Sequence, residues 1–194
     1  MARLTRGLIA TLAICSSLYS ARAEATTFDI DIVHSHVAFF IDHLGFSRVI
    51  GTVNQFSGDF AFDAAKPEAS NLNVTLKVSS IATNSTQRDG DIQGADWFNA
   101  TEFPDITFVG KKFTKSDEKS GSIQGDLTIA GVTQPATLAV TFNREGQNPW
   151  DKSHVVGFSG RATIKRSDFG MKAALGLIGD QVDLFIEVEG KGRT

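Results

Sequence analysis

Apolar and polar residues alternate with a period of two along most of the chain. Phe28, Ile30 and Ile32 alternate with Asp29 and Asp31, and Leu72, Val74, Leu76 and Val78 with Asn73, Thr75, Lys77 and Ser79. The same beat returns at Ile106 and Phe108, at Leu127 and Ile129, and at Leu138, Val140 and Phe142. Val156, Phe158, Ala162 and Ile164 then oppose Ser159, Arg161, Thr163 and Lys165, and Val182, Leu184, Ile186 and Val188 oppose Asp183, Glu187 and Glu189. Successive side chains of a strand point to opposite faces, so this beat predicts strands with one dry and one wet face. Turn-forming stretches separate them: DAAKPEAS after Phe62, KSDEKSGS after Phe113, REGQNP after Asn143 and ALGLIGDQ before Val182. About eight strands with no helices to cover them must bury their dry faces against one another. Closing the sheet on itself does this and removes its edges. The expected fold is all-β, an antiparallel barrel.

One stretch departs from the pattern. Thr83 to Pro104 carries helix-start residues at Asn84 and Ser85, while Gly90 and Gly94 hold any helix to a turn or two. It reads as a short helical excursion from the barrel.

The first residues form a different kind of segment. Arg3 and Arg6 precede an apolar run from Gly7 to Leu18, too short to span a bilayer, and Ala21-Arg22-Ala23 is a small-x-small cleavage site. Residues 1–23 are expected to be a signal peptide, leaving one domain over residues 24–194. A lipid-anchor reading around Cys15 is weaker, because Ile14 stands where such sites want a small residue. Cleavage removes Cys15, the only cysteine, and with it any disulfide or thiol chemistry. It also removes Arg3, Arg6 and Arg22, so 16 of the 19 basic side chains remain against 22 acidic ones. With no basic run, nucleic acid is not an expected partner. The remaining aromatics are 15 Phe and 2 Trp, which add apolar surface without hydroxyls that need partners.

Two readings of the chemistry stand at this point. His34 and His36 share a strand face at a spacing that zinc sites use, and His154 offers a third ligand; these three define an enzyme reading, zinc-dependent or quinone-processing. His43 lies an odd number of residues from both and faces the other way. The second reading is a hollow barrel. Val37, Phe39, Ile41 and His43 form one face, opposite His36, Ala38, Phe40 and Asp42, and the first set belongs inside. No Gly-x-Ser-x-Gly elbow or phosphate loop is present, and Asp89, Asp91, Asp96 and Glu102 fit no EF-hand spacing. No metal or cofactor is expected.

Four blocks carry a resemblance: HSHVAFFIDHLGFSRVIGTVNQFSGDFAFD, RDGDIQGADWFNATEFPDITF, GDLTIAGVTQPATL and VDLFIEVEG. Together they resemble, in order from Phe28 to Gly190, the YceI-like family of secreted polyisoprenoid-binding proteins. The resemblance implies a lipocalin-like antiparallel barrel, periplasmic and not an enzyme, that holds a long isoprenoid in an apolar tunnel. His34-Ser35, His43-Leu44-Gly45 and Arg88-Asp89 match the family's His-Ser, His-Leu-Gly and Arg-Asp positions, with Asp96, Phe98 and Pro104 following in register. Asp91 departs from it, standing where members often carry His. On this reading Val37, Phe39, Ile41, Leu76, Phe108, Leu127, Phe142, Phe158 and Leu184 line the tunnel, and His43, Arg48, Arg88 and Asp89 are head-group candidates. The implied partners are the isoprenoid lipid and an inner-membrane donor or acceptor protein, with a homodimer left open.

Overall fold

The computed structural model describes residues 25–193. The expected signal segment and Cys15 lie outside the described residues.

Eleven strands form one antiparallel sheet: β1 (Thr26–Ile30), β2 (His36–His43), β3 (Ser47–Val53), β4 (Phe56–Phe62), β5 (Asn71–Lys77), β6 (Ile81–Ala82), β7 (Asp105–Lys115), β8 (Ser120–Ile129), β9 (Val132–Gln147), β10 (His154–Lys165) and β11 (Ile178–Gly192). Six of them make three interrupted staves. β1 and β2 lie end to end along β11, through Phe28↔Gly192 to Ile30↔Gly190 and through Ile41↔Val182 to His36↔Glu187. β4 pairs with β1 and β3 with β2, while β5 pairs with β4 and β6 with β3. Counted by staves, the ring is an eight-stranded up-and-down barrel, each stave beside the next in sequence and β11 closing on β1 and β2. The expected all-β barrel is what the chain forms, and closure leaves no continuous sheet edge.

The break between β1 and β2 is held by side chains. Asp31 donates its backbone N–H to the Glu189 carbonyl, and its carboxylate accepts the Val33 N–H. Buried Ser35 accepts the Glu189 N–H and donates to the Glu189 carbonyl through one hydroxyl, so β11 keeps its partners across the gap. Here the alternation misleads. Ile32 continues the β1 pattern in sequence yet lies in the break, 61% exposed. His34 also lies in this turn, before β2 begins, and does not share a strand face with His36.

Two apolar clusters pack inside the barrel. One gathers Val53, Val78, Ile81, Ile106, Phe108, Leu127, Ile129, Phe169 and Met171. The other is built on Phe28, Phe60 and Val156. Around the second, Phe158 packs edge-on against Phe60, Phe62 and Phe142 with centroids 5.0–5.8 Å apart. Such pairs add stability beyond their buried area, which accounts for the preference for Phe. Opposite Phe39, Gly51 leaves room for the Phe39 ring, which occupies the space where a Cβ would stand.

The excursion is a cap over one end of the barrel. Its helix α1 (Thr86–Ile92) starts at Ser85, whose hydroxyl accepts the Arg88 N–H, and lasts two turns. Beyond it Phe103 covers the β8–β9 turn at Gly131, where a Cβ would meet the ring at 2.5 Å and where φ is +75°. Both features restrict that position to glycine.

Candidate functional site

The barrel encloses a cavity of about 640 Å³ that runs from the capped end to the opposite rim. Inward positions of nearly every stave contribute to its wall. Val37, Phe39 and Ile41 come from β2, Leu76 from β5, Phe108 from β7, Leu127 from β8, Phe142 from β9, Phe158 from β10 and Leu184 from β11. All nine residues of the tunnel lining that the resemblance implied border this space. At the far rim the lining is exposed and polar, with Thr114 and Lys115 at the end of β7 and Asp117 and Lys119 of the β7–β8 turn among it.

Polar groups also meet the cavity under the cap. His43 borders it at the end of β2, and Arg88 borders it from α1. Arg88 is committed to the cap itself: it donates to the Thr83 hydroxyl at 2.8 Å and to the Thr83 carbonyl at 2.6 Å. Asp89 accepts from the Thr83 N–H and hydroxyl through a single oxygen. The Arg-Asp pair thus clamps buried Thr83 and fixes α1 to β6; for Asp89 the structure shows this clamp in place of a position on the cavity wall. Arg48, expected at the head group, lies outside the lumen. Its parity puts it on the outer face, 4.9 Å above the Phe40 ring and 3.3 Å from Asp183, so it does not reach the lumen.

The residue that sequence reasoning missed is Arg166. It is 2% exposed, borders the cavity, and lies 4.9 Å over the Trp97 ring of the cap. Its guanidinium donates to the carbonyls of Gly179, Met171 and Ile178 at 2.8–3.0 Å, and burial lowers its pKa. The signal was present in the alternation, since Ala162, Ile164 and Arg166 share one parity and the last puts a cation on the dry face. Asp180, held below the usual carboxylate range chiefly by the Ser167 N–H, gives both oxygens to Ser167.

The three histidines of the enzyme reading do not meet. His34 bonds Asp31 in the turn between β1 and β2, His36 faces out from β2, and His154 bonds Glu145 while packing on Phe28 at 5.2 Å. Among the described residues, Asp31, His34 and Glu189 are the grouping whose ligand atoms approach within 4.8 Å of one another. It contains one of the three histidines, in a largely exposed turn.

The model of the YceI-like domain matches residues 28–190. The chain belongs to the YceI-like family. A UPF0312 protein of Pseudomonas savastanoi pv. phaseolicola is 41% identical over 94% of this chain and 95% of its own length, and one of Azotobacter vinelandii is 40% identical over 94% and 96%. The Campylobacter jejuni YceI protein superposes with a TM-score of 0.71 at 36% identity, covering 79% of this chain and 90% of its own. A polyisoprenoid binding domain from Saccharophagus degradans shares the fold, with a TM-score of 0.65 at 12% identity, over 87% of this chain and 99% of that domain.

Proposed function

We propose that this YceI-like chain is a carrier for a long-chain isoprenoid lipid, exported by a cleaved signal at residues 1–23 and acting in the periplasm as one domain over residues 24–194. The observation that carries this reading is the apolar wall of the cavity, contributed by nearly every stave. A ligand held this way needs no catalytic group, because each buried methylene contributes about 0.8 kcal/mol. The volume falls within the roughly 300–1,000 Å³ of small-molecule sites. The shared fold of the Saccharophagus degradans polyisoprenoid binding domain supports the ligand class. The cavity is formed within one chain, so carriage does not require a homodimer, and loading from or delivery to an inner-membrane protein is the natural partner step. The separation of His34, His36 and His154 favours a binder over an enzyme that uses all three.

Adjacent residues of β5 provide the test. Leu76→Trp narrows the cavity while staying apolar, at a packing cost of about 1–3 kcal/mol. Lys77 points outward, where it pairs with Asp105 at 2.7 Å. Losing that exposed pair in Lys77→Trp costs about 1 kcal/mol or less. Mass spectrometry of co-purifying lipid should show shorter chains in the first variant and unchanged lipid in the second. Equal shifts in both would refute the assignment of the lumen.

A further inference from the structure

Arg166 is a cation with almost no access to water and no carboxylate within ion-pair distance among the described residues. Placing a charge in such surroundings is costly unless other groups compensate for the lost hydration. Three carbonyls do so in part, those of Gly179, Met171 and Ile178. A guanidinium has five N–H groups, so each terminal nitrogen retains one after these bonds. Trp97 covers one face of the group. The nearest acid, Asp180, has both oxygens on Ser167, while Asp91 of the cap is exposed. Ile92, Ile164 and Met171 border the same space, as do the polar groups His43, Arg88 and Asp91 of the capped end.

The geometry points to Arg166, under the indole of Trp97, as the seat for an oxyanion head group, phosphate or carboxylate, at the capped end of the cavity. This rests on the lipid-carrier reading and deepens it by naming the head-group class and the direction of entry: head first beneath the cap, with the hydrocarbon trailing toward the far rim. Charge-assisted hydrogen bonds to two remaining N–H groups in a dry site are the strong kind. A neutral alcohol forms only ordinary ones there. A structural arginine that merely ties Met171 to the start of β11 would show no such preference.

Matched ligands separate these cases. The purified chain, stripped of lipid and carrying Trp150→Phe, retains Trp97 as its one tryptophan; Trp150 is 87% exposed and outside the cavity. It is titrated with geranylgeranyl phosphate, with geranylgeraniol and with inorganic phosphate, reading Trp97 emission and affinity. The phosphorylated lipid should bind about ten- to a hundredfold more tightly than the alcohol and change Trp97 emission, and Arg166→Met should erase that margin. Should Arg166→Met fail to fold, the comparison of ligands on the parent chain still decides. Equal affinity for the two lipids, with Trp97 unmoved, overturns the seat and leaves the carrier standing. Saturable binding of inorganic phosphate at Trp97, with neither lipid binding, keeps the seat and refutes carriage. Binding of none of the three overturns both.

Discussion

His34 and Asp31 show how a single contact reports on the frame around it. Asp31 takes a hydrogen bond from the imidazole at 2.9 Å, which raises the His34 pKa above its ordinary value and lowers that of Asp31. A raised histidine stabilises fully below its unfolded value of about 6.5 and loses that contribution as pH climbs through the folded pKa. The depressed carboxylate contributes above about pH 4 and loses it as pH falls through its own folded value. The pair therefore acts between these limits, and proton NMR should find His34 titrating above 6.5 in the parent chain and back near that value in Asp31→Asn. An unchanged midpoint would contradict the contact. At this scale the sequence was readable where parity ruled, as at Val37, Phe39, Ile41 and His43. It was less readable where a long side chain chose its own partner. Arg48 follows its parity outward to Asp183, and Arg166 follows its own inward, yet only coordinates show the three carbonyls that accept the buried charge.

The cap is the element whose behaviour the clamp at Thr83 decides. Thr83 is 5% exposed, and Asp89 supplies the acceptor for its backbone N–H. Asp89→Ala orphans that group at a cost of about 1–3 kcal/mol, and the loss should be local. Amide exchange should quicken across residues 86–104 while β9, β10 and β11 keep their protection. Uniform acceleration through the barrel would show that the cap is not a separate unit. Two features of this element were legible in advance, the start at Ser85 and the short length, although the helix runs through Gly90 and ends at Ile92, before Gly94. The interruptions of the staves were not. Asp31 to Ser35 breaks a run whose alternation continues through Ile32, because the break is held by bonds to Glu189, more than 150 residues away. Local periodicity carries no trace of such a partner.

At the scale of the whole molecule the barrel follows from a simple constraint. Eight amphipathic staves with one small cap have a single place for their dry faces, and closure hides both those faces and the sheet edges. A barrel of this size can be packed solid or can hold one ligand, and alternation alone does not choose between them. The cavity of about 640 Å³ does. Its wall of Phe, Leu, Ile and Val fits a hydrocarbon chain, and its polar groups gather at the two ends. Native mass spectrometry of the protein purified from its own source tests this most directly. The account predicts a folded chain carrying one stoichiometric lipid whose fragments step by isoprene units, and release of that lipid on denaturation. A folded chain of bare polypeptide mass, or one that carries only straight-chain acyl lipids, would contradict it.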